Sequence, residues 1–363
     1  MDLTLDTLLR ECVDRDASDL HVKSDSKPLL RRYGDLSPIE DFPVIPAAQA
    51  RELAYSVLEE WQIEQFERDW ELDVAYEIPG IARFRGNVLV QRGRVGSVWR
   101  VIPYKISTME ELGLPPACRY LSERPRGLVL VTGPAGSGKS TTQSAMINYI
   151  NESFEHHVVT VEDPVEFVHE DKKALVNQRE LNRDTRSFAN ALKYVLRQDP
   201  DVILIGEMRD LETIGLAITA AETGHLVFGT LHTQDAVQTI DRVIDVFPTH
   251  QQAQVRIQMA SNLLGVISQT LVKRADGKGR IAAYEVMLAV PAVRNMIRES
   301  KTHQIHSVLQ TATKQGMMTL DQSLAGLVKR KLITYEDAYE KTTNPSAFAT
   351  LVGEGGGVIG AQQ

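Results

Sequence analysis

The apolar run Leu128, Val129, Leu130 and Val131 leads, through Thr132, into Gly133, Pro134, Ala135, Gly136, Ser137, Gly138, Lys139, Ser140 and Thr141. A buried strand that breaks into a glycine-rich turn and then opens a helix is the setting of a phosphate-binding loop. The glycines let successive backbone N–H groups converge on an anion, and the helix adds its positive end. In such a loop Lys139 reaches the β- and γ-phosphates, and the Ser140 hydroxyl binds Mg²⁺. The spacing therefore predicts ATP or GTP binding, with a helix running on from Ser140.

The segments around the loop fix the fold class. Residues 128–131, 158–161, 202–205 and 226–230 are continuous apolar runs, as expected of strands buried on both faces. Helical patterns separate them, for example 211–223, with Asp210 as N-cap and Gly224 as stop. This predicts an α/β domain with a mainly parallel sheet, and helices from Asp235 onward. The first part of the chain reads differently. Leu3, Leu5, Leu8, Leu9, Cys12 and Val13 follow helical spacing, and a second helical stretch covers 47–66. Short alternating segments at 20–22, 29–33, 73–76, 82–91 and 96–103 predict a small, mostly antiparallel sheet. At 363 residues two domains are expected. The expected division is an α+β domain at 1–103, a Pro-containing linker at 104–116, the α/β domain at 117–352 and a glycine-rich tail at 353–363.

Composition narrows the functional classes. The formal charge of −8 argues against a general nucleic-acid binder, so no nucleic-acid partner is expected. Two cysteines, Cys12 and Cys118, provide neither a disulfide framework nor a four-Cys zinc cluster, and Cys12 reads as a buried thiol. The acidic start lacks a secretory signal pattern, and no apolar run approaches the length of a membrane span. A cytoplasmic protein is expected, with docking onto a membrane complex left open.

The chemistry-bearing residues gather at strand ends. Glu207 follows the run 202–205 and Gly206, at the edge where open α/β sheets bind ligands, and is the candidate to orient an attacking water. Many phosphate-loop proteins carry Asp where this chain has Gly206, so Ser140 is the one metal ligand assigned. Glu162 and Asp163, fixed by Pro164, hold metal-bound water, or orient the nucleophile, or simply form an acidic turn. His232 lies at the carboxyl end of the 226–230 run, where a ring nitrogen can sense a γ-phosphate, whereas His225 lies at the other end. Arg83, Arg85 and Arg100 in the first domain are either solvated or completers of a neighbouring subunit's site. In 292–299, Arg294 and Arg298, like Val293 and Ile297, are four residues apart. That spacing predicts a helix burying one stripe and displaying two arginines on another.

These residues together resemble a known family, the secretion-type hexameric ATPases, and within it the PilT-type retraction motors of type IV pili. The resemblance spans nearly the whole chain: 18–22, 83–87, the Walker A loop, the acidic box 162–166, the Walker B pair Gly206-Glu207 and the His box 223–232. Most specific is 292–299, Ala-Val-Arg-Asn-Met-Ile-Arg-Glu, which is similar to the AIRNLIRE signature of retraction motors. The resemblance implies a PAS-like first domain, a RecA-like motor domain and a homohexamer. It also implies ATP as substrate with Mg²⁺, Glu207 as catalytic carboxylate, and Arg294 and Arg298 as coupling residues. An inner-membrane platform protein is the implied partner, with a paralogous retraction ATPase as a possible second one. Ala135 and Met208 depart from the frequent Thr and Leu, at side chains the phosphate contacts do not need. Pilus-assembly or type II secretion ATPases, accessory retraction subunits and RecA-like DNA translocases are the alternatives. Assembly members commonly carry a four-Cys zinc element and a longer N-terminal region, and neither is evident here.

Overall fold

The computed structural model describes residues 3–32, 34–102 and 104–353. Apart from Gly353, the predicted tail lies outside the described residues, as does Pro103. The fold is mixed α/β, and the chain divides into two compact units, Met1–Ile106 with Pro164–Val168, and Ser107–Asp163 with His169–Gln363.

The first unit contains α1 (Leu5–Asp14), β1 (Asp19–Val22), β2 (Leu29–Arg32), β3 (Asp35–Pro38), α2 (Ala47–Tyr55), α3 (Glu60–Asp69), β4 (Glu71–Ile78), β5 (Ala82–Gln91) and β6 (Arg94–Ile102). Its sheet has the order β3-β2-β1-β6-β5-β4, with every pair antiparallel. Thr4 caps α1, and Leu5, Leu8, Leu9 and Cys12 all face inward. Each buried leucine contributes roughly 1.5–3 kcal/mol. Burial pushes the Cys12 thiol up to about 12. On β5, Ala82, Phe84, Gly86 and Val88 are buried, leaving Arg83, Arg85 and Asn87 on the other face. Gly86 lies opposite Trp99, and a Cβ there would collide with the indole ring.

Two details differ from expectation. The single helix expected over 47–66 is two helices, because Glu59 and Gln62 form a capping box that starts α3 afresh. Strand β3 was not anticipated, since its four residues are exposed at a sheet edge and carry no apolar alternation.

The second unit begins with α4 (Met109–Leu112), α5 (Pro116–Ser122), β7 (Gly127–Thr132), α6 (Lys139–Ser153), β8 (His157–Glu162), β9 (Leu175–Glu180), α7 (Phe188–Val195) and β10 (Val202–Ile205). It continues with α8 (Leu211–Glu222), β11 (Leu226–Leu231), α9 (Ala236–Asp245), α10 (Thr249–Asn262), β12 (Leu263–Lys273) and β13 (Arg280–Leu288). Five helices close it: α11 (Pro291–Arg298), α12 (Ile305–Thr311), α13 (Leu320–Lys329), α14 (Tyr335–Tyr339) and α15 (Pro345–Val352). The sheet order is β13-β12-β7-β11-β10-β8-β9. All pairs are parallel except β12–β13. Alternate residues of the continuous apolar strands feed two cores. Leu128, Leu130, Val159, Val161, Ile203 and Ile205 pack in one, and Val129, Val158, Val202, Leu204 and Phe228 in the other. As expected, Asp210 caps α8, accepting from Thr213 N at 2.8 Å.

Two expectations for this unit need correction. The stretch read as a linker contains α4, with a Thr108–Glu111 capping box and Met109 buried, so part of it belongs to the second core. The chain after Asp235 is not dominated by helices alone, because β12 and β13 extend the sheet.

Glu285 on β13 is buried, and its carboxylate accepts from Ala236 N at 2.8 Å at the start of α9. Burial, aided by the charges of Asp235 and Asp321, pushes Glu285 from 4.5 up to about 7, against backbone donors at Ala236 and Leu320. The folded state therefore favours the protonated acid. Its contribution is complete below about pH 4.5 and is lost as pH rises towards 7. Glu285→Gln, which cannot ionise, is expected to gain up to about 3 kcal/mol on the native chain across that window. Urea denaturation at a series of pH values measures it, and a pH-independent difference between the two proteins would contradict it.

Candidate nucleotide site

Parallel register brings the singled-out segments of the second unit to one edge of its sheet. Thr132 stands beside Leu231, Ile205 beside Gly229 and Ile205 beside Val161. The residues that follow or end these strands, Gly133, His232, Gly206 with Glu207, and Glu162, thus emerge side by side at the carboxyl edge. Ligands of open α/β sheets bind at this edge.

The loop between β7 and α6 has Gly133, Gly136 and Gly138 at φ 141°, 72° and 88°, a left-handed region in which side chains are strained. Helix α6 begins with Gly138 as N-cap and no side-chain cap. With no side chain at the N-cap to occupy it, this helix start suits an anion. The Lys139 ammonium folds over the loop, donating to Gly133 O at 2.8 Å and Pro134 O at 3.0 Å. Pro134, Ala135 and Gly136 are exposed, Ser137 is buried, and Ser140 and Thr141 are half-buried at the helix start.

Glu207 is half-buried and sits in a charged cluster. Arg209 Nε lies 2.5 Å from Glu207 Oε1 and His232 Nε2 lies 3.0 Å from the same oxygen. Burial raises the Glu207 carboxyl, but the Arg209 guanidinium and then His232 outweigh it, and the group ends below its usual range. Glu207 is thus a carboxylate at neutral pH, matched to holding a water's protons in place more than to removing one early. The turn that presents it is fixed from below. Met208 is buried and donates its N–H to Thr230 O at 3.0 Å, and its sulfur fills the space where a Cβ on Gly229 would sit.

Glu162 ends β8 and accepts from Thr160 Oγ1 at 2.7 Å and Gln178 Nε2 at 3.1 Å. Gly206 packs against it: a Cβ on Gly206 would come within 3.1 Å of Glu162 Cα and 3.2 Å of Val161 O. A side chain there, such as the common aspartate, would require these neighbours to give by a few tenths of an ångström. Asp163 is exposed, and its charge reaches Arg209, raising the guanidinium alongside Glu207. His225, at the far end of β11, donates from Nδ1 to Ala220 O, 2.9 Å away, and packs into the C-terminal turn of α8.

Residues 104–340 match the family described as Type II/IV secretion system protein. The chain belongs to the type II/IV secretion family. It is 52% identical over 348 residues, 96% of this chain and all of the relative, to the "Type IV pilus retractation ATPase PilT" of Pseudomonas aeruginosa. It is 41% identical, over 93% of this chain and 88% of the relative, to the "Type IV pilus ATPase PilU" of the same organism. A crystal structure of the pilus retraction motor PilT with bound ADP superposes with a TM-score of 0.88, at 46% identity, covering 95% of this chain and 99% of that one.

For this member of the secretion family, α11 is the segment most in need of its structural context. Val293 and Ile297 are buried, as the spacing predicts. The two arginines do not share an environment. Arg298 is exposed, whereas Arg294 turns inward and donates to Ala260 O at 2.6 Å and Ser261 O at 2.7 Å. Those carbonyls end α10, where a cation complements the helix dipole. The expectation of two displayed arginines is therefore corrected to one. Periodicity assigns a side chain to a face of its own helix and is silent about a neighbouring helix end.

In the first unit, the three candidate arginines lie together on one sheet face. Arg83 and Arg85 alternate along β5, and Arg85 stands opposite Arg100 on β6. Each of the latter pair has an acid: Arg100 Nε donates to buried Asp19 at 2.9 Å, and Arg85 lies 3.5 Å from Glu166. Three side chains of the second unit were missed by sequence reasoning, namely Arg209, Gln178 and Gln269. Arg209 was within reach, since a cation two residues past a candidate carboxylate can fold back on it.

Proposed function

We propose that this chain is a hexameric, ATP-hydrolysing motor that powers type IV pilus retraction by returning pilins from the fibre to the membrane. The observation carrying the reading is the pairing of Glu207 with His232 on the adjacent ends of β10 and β11, on one side of the β7 phosphate loop. The 52% identity to a retraction ATPase over 96% of the chain supports the direction of the work. On this reading the second unit is RecA-like and the first PAS-like, with the boundary near 106. The mainly parallel sheet with its loop after β7 supports the former, and the antiparallel sheet backed by α1 supports the latter.

The chemistry follows from the residues. The loop N–H groups and Lys139 hold the β- and γ-phosphates. Mg²⁺, when bound, neutralises charge on the phosphoryl oxygens, and Ser140 is the side-chain ligand this chain offers, with Glu162 and Asp163 placed to hold metal-bound water. Glu207 orients the attacking water, while His232 and Arg209 hold Glu207 in position. Arg83, Arg85 and Arg100 supply cations to a neighbouring subunit's site, the arrangement by which an arginine stabilises developing phosphoryl charge. The present partners of Arg100 and Arg85, Asp19 and Glu166, are acids those two exchange on assembly.

Among the described residues no helix is long and apolar enough to cross a membrane, which fits a cytoplasmic motor docked on an inner-membrane platform protein. The similarity to PilU supports a paralogous retraction ATPase as a second partner. Deleting the gene and imaging surface fibres tests the proposal. Excess pili that do not retract are expected; bare cells would assign the chain to assembly, and unchanged retraction would make it accessory.

Helix α11 has separable roles on this reading. Arg294→Ala is expected to destabilise the second unit by about 1–2 kcal/mol, through unserved carbonyls at the end of α10. Arg298→Ala should fall within about 0.5 kcal/mol of the native protein, keep ATPase activity and lose twitching. Thermal denaturation, phosphate release and motility measured together decide this. Parallel loss of turnover and motility in Arg298→Ala would remove its coupling role.

A further inference from the structure

Strand β12 runs parallel to β7, with Ser268 beside Thr132, so the next residue, Gln269, arrives beside the first glycine of the phosphate loop. Gln269 is only 3% exposed, and each end of its side-chain amide has a partner in the Walker A segment. Its Nε2 donates to Ser137 O at 2.7 Å. Its Oε1 accepts from Thr142 Oγ1, one turn into α6, at 2.8 Å. The backbone closes on the loop as well, because the Gln269 carbonyl lies against the bare Cα face of Gly133, and its Nε2 is 3.2 Å from where a Gly138 Cβ would sit.

We propose that Gln269 is a positioning residue for nucleotide binding, a clamp that holds the phosphate loop in its anion-accepting conformation. The inference rests on the nucleotide reading of the loop given above. In a trans peptide the carbonyl and the following N–H point in opposite directions. Tying Ser137 O to β12 therefore turns the Gly138 N–H to the opposite side of that peptide, leaving it available to an anion. Without the donor, the Ser137 carbonyl is buried and unsatisfied, and the loop gains a reason to flip that peptide. A flipped peptide would present an oxygen where a phosphate oxygen must sit. The Ser137 carbonyl, which can only accept, fixes which end of the amide faces which partner, and this leaves Oε1 to take the Thr142 hydroxyl.

The test compares Gln269→Ala, Gln269→Glu and Thr142→Val with the native full-length protein. ADP and ATP affinity are measured by a fluorescent analogue, together with KM, kcat and thermal midpoint. Gln269→Glu keeps the acceptor and loses the donor to Ser137, so it is expected to weaken ADP roughly 10- to 100-fold and to raise KM similarly. Gln269→Ala should do the same, and Thr142→Val should show a smaller shift in the same direction. The midpoint with saturating nucleotide should recover more slowly with concentration than in the native protein. Native affinity and KM in both Gln269 variants, with only a lowered midpoint, would make Gln269 structural and overturn the proposal. If Gln269→Ala fails to fold, Gln269→Glu and Thr142→Val decide the matter by the same criteria. A native chain that binds no nucleotide would defeat the phosphate-loop reading itself, which is a separable result.

Discussion

Glu207→Gln is expected to leave the protein folded, assembled and able to bind ATP, while kcat falls by about 10²- to 10⁴-fold. The substitution preserves shape and removes charge. Glutamine can still meet Arg209 and His232, but it offers a water one acceptor where the carboxylate offers two. The native carboxyl is held below its usual range by Arg209 and His232 despite half-burial, so the charged form is the one the site is built around. KM should change little, because the phosphates are held by the loop and Lys139. Steady-state phosphate release and single-turnover ADP formation measure the effect, and turnover within threefold or so of native would remove Glu207 from the reaction. His232→Ala provides an internal comparison. It loosens Glu207 without discharging it, so a smaller loss is expected.

Gly133→Ala should abolish detectable nucleotide binding and lower stability by about 2–5 kcal/mol. The reasons are local. Gly133 adopts φ 141°, where an L-residue is strained by about 1–3 kcal/mol. Its added methyl would collide with the Gln269 carbonyl and lie 2.7 Å from Ser137 Oγ, which adds a further cost of the same order. The Gln269 carbonyl is backbone and cannot rotate aside, so relief must come from moving the loop off β12. Calorimetry with ADP and urea denaturation read the two consequences. Native-like affinity in this variant would mean that the loop can be rebuilt without its contact to β12. Gly136→Ala is a useful contrast, since a Cβ there meets nothing within 4 Å and only the backbone penalty applies.

Much of the second unit was legible because its information is local. Strands 128–131, 158–161, 202–205 and 226–230 are apolar runs bounded by turn residues, and the Asp210 cap and Gly224 stop mark α8. Glu207 and His232 followed from standing after such strands. The hairpin of β12 and β13 was not legible, and the reason is physical. Helix α10 ends at Asn262 and β12 starts at Leu263 with no Gly or Pro between them. The buried Ser268 and Gln269 then interrupt its apolar run. Those polar residues are explained only by partners far away in the chain: Gln269 reaches Ser137 across 132 positions. Arg294 failed for a similar reason, since its partners belong to α10. The two arginines of the signature segment look equivalent in one dimension and are not equivalent in three.

The crowding between Gly206 and Glu162 limits how this motor can be re-engineered. Restoring the acid that other nucleotide-hydrolysing proteins carry at 206 would force two central strands apart by a few tenths of an ångström, and only then could the new group act. If Glu162 holds metal-bound water as proposed, it is the cheaper handle on cation preference, because its oxygen is already oriented by Thr160 and Gln178.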